Sequence, residues 1–198
     1  MRSVLLASAL TAFALACASN SGTHDDSSAS AGSAQAPDYS ACITHRFTGD
    51  GLGALRIGMS VDSVSRVCPV IRDTIVPGPE GMMSRVLSVP IGNDTVFAEV
   101  ADSRVWRILV RSQGLFTADS LSVGSSIATL VELPELNPMV GEGYLYVATP
   151  AHCGMSFRLS IPPSTLTRGE WTNAELRKLD PTVHVTRILL LGCQQQPR

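Results

Sequence analysis

The chain has 198 residues, 44% of them hydrophobic and 16% charged, with a formal net charge of −2 at pH 7. This composition provides enough apolar residues for one globular domain or for two small repeated halves. The near-neutral net charge gives no sign of the basic surface that would bind nucleic acid or an anionic membrane directly. After the N-terminal segment, no apolar run is long enough to span a bilayer.

The N-terminal residues have the pattern of an export signal. Residues 4–16 form an apolar segment that is shorter than a typical transmembrane helix. Small residues precede Cys17. This ending resembles a bacterial lipoprotein signal, in which the cysteine is lipidated and becomes the first residue. We therefore expect a signal peptide at residues 1–16 and a lipid anchor on Cys17.

Residues 17–40 are rich in Ser, Ala, Gly and Asp and contain almost no large apolar side chain. Such a segment cannot bury enough surface to offset its ordering entropy, so we expect a flexible tether. By resemblance to lipoprotein sorting, Ala18 after the cysteine favours the outer membrane. Cleavage after Ala16 or Ala18, which would give a soluble periplasmic or secreted protein, is the alternative.

The cysteine content agrees with export. Apart from Cys17 there are four cysteines, an even number that is typical of an oxidising compartment. No two of them have CxxC spacing, so the sequence predicts neither a zinc site nor thioredoxin-like chemistry, and it indicates no cofactor. The four are Cys42, Cys68, Cys153 and Cys193.

The first half of the remaining chain predicts one helix and three strands. Ser60 is a good N-cap for a short amphipathic helix that Pro69 ends. Strand candidates follow at residues 83–89, 95–100 and 105–111, and the short turn-rich connections between them predict antiparallel hairpins.

In the third of these strands the side chains alternate between two faces. Trp106, Ile108 and Val110 form an apolar face that we expect to meet the helix. Arg107 and Leu109 lie on the other face, followed by Arg111.

The second half repeats parts of this pattern. Residues 121–126 resemble residues 55–60, and a second short helix is predicted at residues 127–133. Strand candidates follow at residues 143–149, 154–161 and 183–191, the last of which repeats the Arg-Ile-Leu of the earlier strand as Arg187, Ile188 and Leu189. An insertion at residues 162–181 contains a capping box, Thr172 to Glu175, that opens a helix through Leu179.

The sequence thus predicts an α+β fold of two tandem units, residues 41–114 and 115–198. Each unit is a helix plus a three-stranded antiparallel meander, and together they form one sheet with the helices on one face. The motif Leu-x-Ile-Gly-Met-Ser at residues 55–60 resembles the β-lactamase-inhibitor-protein-like fold, of which small outer-membrane lipoproteins of the SmpA/OmlA type have one unit.

Four cysteines allow three disulfide pairings. If the halves match, the strands that carry Cys153 and Cys193 belong to the same unit and lie side by side. We therefore expect a Cys153–Cys193 bridge and, by elimination, a Cys42–Cys68 bridge.

No catalytic residue is predicted. His152 and Cys153 are adjacent on a predicted strand and would point to opposite faces, which is poor geometry for a nucleophile and its base. Glu99 has no placed partner for acid–base work, and the histidines, including His24 and His184, lack ligand spacing, so no metal site is expected.

Arginine and apolar side chains share the sheet face that points away from the predicted helices. Such a mixture suits a protein-binding surface, although ordinary charges on a half-solvated sheet would give the same pattern. The candidate binding residues are Arg107, Leu109, Arg111, Arg187 and Leu189, and Arg158 is a further arginine of interest.

We therefore expect a non-enzymatic, lipid-anchored envelope protein that binds an envelope protein. A hydrolase with a dispersed site and a periplasmic small-molecule binder are the alternatives.

Overall fold

The computed structural model describes residues 37–78, 81–166 and 171–193, which belong to one unit, Ala36–Arg198. The predicted signal peptide, Cys17, His24 and most of the predicted tether lie outside the described residues. Within the described ranges, no helix has the length and the apolar content that crossing a membrane requires.

A small antiparallel sheet comes first, after a 3-10 turn at Ser40–Cys42. Its strands are β1 (Phe47–Thr48), β2 (Gly51–Leu52) and β3 (Leu55–Arg56). Gly49, in the turn between β1 and β2, has no room for a side chain, because a Cβ there would collide with the carbonyl group of Cys153. The glycine-rich segment at residues 49–53 therefore begins with a turn that packs tightly against the rest of the protein.

Eight further strands form the large sheet. They are β4 (Arg72–Pro77), β5 (Met83–Ile91), β6 (Asp94–Ala101), β7 (Arg104–Val110), β8 (Asn137–Gly141), β9 (Tyr144–Ala148), β10 (Met155–Leu159) and β11 (Val185–Leu190). Their spatial order is β4-β5-β6-β7-β11-β10-β9-β8, with every neighbouring pair antiparallel. The predicted hairpins that join β5, β6 and β7 are confirmed.

Three short helices accompany the large sheet: α1 (Val61–Val67), α2 (Ile127–Leu130) and α3 (Asn173–Leu176). The Ser60 side chain accepts a hydrogen bond from the Ser63 amide, as expected of an N-cap. The capping box of Thr172 and Glu175 is also present. Both α2 and α3 end earlier than their sequences predicted.

The predicted fold class is wrong. The protein is mostly β, with two sheets rather than one and only three short helices among the described residues, so it is not a pair of helix-plus-meander units. The sequence reading missed the edge strands β4 and β8. Most β4 side chains are exposed on both faces, so β4 lacks the buried alternation by which strands are recognised.

The similarity between residues 55–60 and residues 121–126 reflects equivalent local contacts, not equivalent units. The Gly58 amide donates to the Val105 carbonyl, and the Gly124 amide donates to the Val185 carbonyl. Each motif thus attaches the chain before a helix to one of the two central strands, β7 and β11.

The core lies between the helices and one face of the large sheet. Val64 of α1, Leu130 of α2 and Leu176 of α3 are almost completely buried there with Ile108 and Phe157 of the sheet. Burial of this apolar surface is the main force that holds the helices on the sheet. The opposite face of the sheet carries a smaller apolar cluster of Leu109, Tyr146 and Leu189.

The prediction that Trp106 faces the core is wrong. The register between β6 and β7 shifts by one residue. Glu99 pairs with Arg107, but the next residue of β6, Val100, pairs with Val105. Trp106 is the extra residue of this β-bulge and is 37% exposed, while Val105 takes the core position. A bulge adds one residue to a strand and so changes the face on which a neighbouring side chain lies, although the alternation of apolar and polar residues in the sequence stays the same.

The cysteines form two pairs that are compatible with disulfide bonds, and they are the predicted pairs. The Cα atoms of Cys42 and Cys68 lie 5.5 Å apart, and those of Cys153 and Cys193 lie 5.0 Å apart. Such bridges are typical of proteins that fold in an oxidising, exported compartment.

Candidate functional site

A concave cleft of approximately 490 Å³ occupies the sheet face opposite the helices. We call this surface the concave face. Apolar, hydroxyl and charged side chains from strands on both sides of the sheet line it together. They include Thr74, Val86, Ser88, Phe97, Glu99, Arg107, Leu109, Arg111, Glu142, Tyr144, Arg158 and Arg187.

The large sheet curves around this cleft, since β4 and β9, which are six strand spacings apart in the sheet, both line it. Arg107 lies on β7 and Glu142 in the turn between β8 and β9, with β11 and β10 between them. Their side chains reach across the two intervening strands and form an ion pair with an N–O distance of 2.6 Å. Glu142 adopts a left-handed φ of 51° and the next residue, Gly143, one of 75°, which fits a tight hairpin turn.

Arg107 is the centre of a buried ion cluster. Its guanidinium nitrogens lie 2.7 Å from a Glu99 carboxylate oxygen and 2.6 Å from a Glu142 carboxylate oxygen. Burial disfavours the charge of Arg107, but the hydrogen bonds and attraction of the two carboxylates raise its pKa above the ordinary value. The hydroxyl of Tyr146 donates to Glu142 at 3.4 Å, and burial, followed by the charge of Glu142, raises the pKa of Tyr146.

Three other arginines lie beside one another across adjacent strands. Arg158 of β10 pairs directly with Arg187 of β11. On β7, Val110 pairs with Ile188 of β11. The next residue, Arg111, therefore lies opposite Arg187, on the side away from Arg158. We call Arg111, Arg158 and Arg187 the arginine row.

Aromatic rings support two members of the arginine row. The guanidinium carbon of Arg158 lies 3.5 Å from the centre of the Tyr144 ring, and that of Arg111 lies 4.8 Å from the centre of the Phe97 ring. These are cation–π contacts. They orient the guanidinium groups without neutralising their charge.

No carboxylate in the described part of the chain forms an ion pair with the arginine row. Burial, and then the charges of Arg111 and Arg158, lower the pKa of Arg187. The Nε atom of Arg158 is buried and has no hydrogen-bond partner. The row is therefore a concentration of positive charge with unused donors, an arrangement that favours an anion.

The structure brings the five predicted binding residues to the same face but gives them different roles. Arg111 and Arg187 belong to the arginine row, whereas Arg107 is held by Glu99 and Glu142. Leu109 and Leu189 are cross-strand partners that are almost fully buried in a small apolar cluster with Tyr146.

Sequence reasoning missed the aromatic and acidic members of the site. Tyr144 and Tyr146 are two residues apart on β9, a spacing that places them on one face and could have indicated their role. Nothing in the sequence pattern indicated Glu142, because its contact with Arg107 joins residues that are 35 positions apart and separated by two strands of the sheet.

His152 and Cys153 do not form a nucleophile and base. Cys153 is paired with Cys193, and the Nε2 atom of His152 lies 3.0 Å from a carboxylate oxygen of Asp119. Burial raises the pKa of Asp119, but the hydrogen bond from Thr117 and the charge of His152 outweigh it, so the pKa is lower than usual.

The Nδ1 atom of His184 lies within hydrogen-bonding distance of the Ser160 hydroxyl and the Thr182 carbonyl. In the ranges that the structure describes, no group of three His, Cys, Asp or Glu side chains could hold a metal ion.

No protein-family model matches the chain, and no curated protein matches it. Among solved structures it is similar to that of the uncharacterised protein YfeY from Escherichia coli. The two are 14% identical, with a TM-score of 0.45, and the match covers 76% of this chain and 99% of YfeY.

Proposed function

We propose that the protein is a non-enzymatic envelope protein that is anchored to the outer membrane through a lipid on Cys17 and holds a partner protein on its concave face. The two cysteine pairs support export. The small-residue approach to Cys17 and the polar segment after it support the anchor and a tether.

The composition of the concave face is the observation that carries the binding function. Arginine and aromatic side chains, which are enriched at protein interfaces, alternate there with apolar and hydroxyl side chains. The three arginines of the row form no ion pair among the described residues, so the burial that lowers the pKa of Arg187 is not offset there by a carboxylate. An acidic or hydrogen-bond-accepting segment of a partner would provide that compensation.

The second candidate is a small-molecule-binding protein. The cleft volume of about 490 Å³ falls within the roughly 300–1,000 Å³ that is usual for ligand pockets. The unused donors of the arginine row would then fix the position of one anionic ligand.

Site-specific crosslinking in native envelopes tests the partner-binding function. We expect a photoreactive amino acid at Thr74, which lines the cleft, to capture a defined protein. The same amino acid at Arg66, exposed on α1 on the other side of the sheet, is the matched control and should capture none. Introducing Arg187→Glu into the Thr74 variant should reduce the yield. Capture from Arg66 and not from Thr74, or a yield unaffected by Arg187→Glu, would contradict the proposal.

The anchor has its own test. We expect Cys17→Ala to release the protein from the membrane fraction, and a lipid label to mark the wild type and not the variant. Release is expected because several acyl chains contribute about 0.8 kcal/mol per buried methylene, far more than a tether alone. Equal membrane association of both proteins, with no label on the wild type, would remove the anchor from the proposal.

A further inference from the structure

We propose that the arginine row binds a phosphate group and that the ligand of the concave face is held by that group. The inference deepens the proposed function, because the phosphate belongs to whatever the concave face holds. It rests on the pairing of the three strands, on the absence of an ion pair to the row in the described chain and on the aromatic contacts of two of its guanidinium groups.

The contrast between Arg107 and the arginine row is the first argument. All four arginines line the same cleft, but Arg107 lies between the carboxylates of Glu99 and Glu142. The same fold therefore neutralises one buried arginine and leaves its three neighbours unneutralised. Clustered like charges are unfavourable in the folded state unless something else offsets them. A bound anion would do so.

The strand register places the three arginines of the row side by side on the concave face. Side chains that are directly opposite on neighbouring antiparallel strands have Cβ atoms roughly 4.5–5.5 Å apart. Arg187 is central, with Arg158 opposite it on one side and Arg111 on the other. The Phe97 and Tyr144 rings hold the guanidinium groups of Arg111 and Arg158 toward β6 and β9, but both charges still act on Arg187. An anion above Arg187 would therefore be attracted by all three arginines.

The aromatic contacts leave the donors of the row available. The Tyr144 and Phe97 rings lie against the faces of the Arg158 and Arg111 guanidinium groups. The N–H groups of a guanidinium lie in its plane, so a ring on the face does not use them. The buried Arg158 Nε, which has no hydrogen-bond partner, is one such unused donor.

Charge and acceptor number favour phosphate over a single carboxylate. A carboxylate has one negative charge and two oxygens, so it would leave two of the three arginine charges without compensation. A phosphate monoester has a charge of about −1.5 to −2 at neutral pH and three acceptor oxygens. It therefore compensates more of the three positive charges than a carboxylate does, and its three oxygens match the three guanidinium groups in number.

Calorimetric titration of the purified full chain with defined anions tests the proposal. Glycerol 3-phosphate and inorganic phosphate are the two phosphate probes, and they separate a phosphate monoester from the free ion as the source of the group. Succinate, which has two carboxylates, is the competing anion. We expect saturable binding of at least one phosphate probe and weaker or no binding of succinate.

The variant Arg187→Gln should weaken phosphate binding by about tenfold or more, because it removes charged hydrogen bonds at the centre of the row. Arg66→Gln, an identical change on the exposed surface of α1, should bind as the wild type does. Thermal unfolding of both variants shows that they are folded. Arg158→Gln is the second variant and should weaken binding as well.

Three results would overturn the phosphate site: succinate binding more tightly than both phosphates, no phosphate binding to the wild type, or equal binding by Arg187→Gln and Arg66→Gln. The crosslinking experiment keeps the two proposals apart. Capture from Thr74 without phosphate binding would overturn only the phosphate site, whereas phosphate binding without capture would overturn only partner-protein binding.

Discussion

Arg107 and Arg187 lie on the same face of the large sheet, but their surroundings shift the pKa values of the two guanidinium groups in opposite directions. Arg107 is enclosed by two carboxylates, and its pKa is raised despite burial. Arg187 is half-buried next to two other arginines, and its pKa is lowered. The folded protein therefore favours the charge of Arg107 and disfavours the charge of Arg187.

Arg107→Met should lower the free energy of unfolding by about 3–5 kcal/mol, because it leaves two carboxylates close together without their shared partner. Urea denaturation measures this change. Arg187→Met is the matched control, and we expect it to leave the stability unchanged or to increase it, since it removes a disfavoured charge. Equal losses in the two variants would show that both arginines act through packing alone.

This difference decides which of the two arginines can report on binding when its charge is reversed. Reversal at Arg107 would place a third carboxylate beside Glu99 and Glu142, so it tests folding and not partner binding. Arg187 is the residue at which charge reversal can report on binding.

At the scale of single elements, the short helices depend on their caps. A helix of seven residues such as α1 is marginal in isolation, because few intrahelical bonds offset the cost of nucleation. The Ser60 side chain satisfies the Ser63 amide at the first turn, and Val64 anchors the helix in the core. Capping and burial together hold α1 in place.

Ser60→Ala should lower the free energy of unfolding by about 1 kcal/mol, the usual cost of removing an N-cap. Ser65→Ala is the control on the same helix. Ser65 is exposed and its hydroxyl bonds only to the Val61 carbonyl, so alanine there should be neutral or slightly stabilising. Both are measured by urea denaturation; losses of the same size would show that the Ser60 cap contributes nothing specific.

The edge strand β4 shows why element prediction failed where it did. Its backbone pairs with β5 along its whole length, and Arg85 of β5 forms two hydrogen bonds to the Asp73 carboxylate. Most of its side chains, including Ile75, are exposed. A strand that is held mainly by backbone hydrogen bonds to its neighbour needs no alternation of apolar and polar residues, so its sequence does not identify it.

At the scale of the whole molecule, each of the two cysteine pairs connects elements that are distant in the sequence. Cys42–Cys68 joins the 3-10 turn before β1 to the end of α1. Cys153–Cys193 joins the start of β10 to the end of β11, where the Asp50 carboxylate also accepts the Cys193 amide hydrogen bond. The second pair therefore lies where the small sheet meets the large one.

Replacing Cys153 and Cys193 together by alanine should lower the free energy of unfolding by about 4 kcal/mol on the loop-entropy scale, since the bridge closes a loop of 40 residues. Replacing Cys42 and Cys68 should cost slightly less, about 3.5 kcal/mol, for a separation of 26 residues. Guanidinium denaturation without reductant measures both losses. Wild type treated with dithiothreitol is the control and should lose stability by a comparable or larger amount. No effect of reduction would contradict the contribution of both bridges.

The sequence by itself determined the local features of this protein. Adjacent residues encode the caps at Ser60 and Thr172 and the hairpins from β5 to β7, because these depend on contacts a few positions apart. It also determined the cysteine pairs and the placement of Arg107, Arg111 and Arg187 on one face.

Only the tertiary structure decided the fold class, the exposure of Trp106 and the nature of the site. The β-bulge and the edge strands arise from pairing between strands, which no single segment encodes. The strand order and the turn between β8 and β9 bring Glu142 to Arg107 across two intervening strands, while the arginine row forms no ion pair in the described chain. Whether an arginine is neutralised thus depends on contacts between residues distant in sequence, which alternation along one strand cannot reveal.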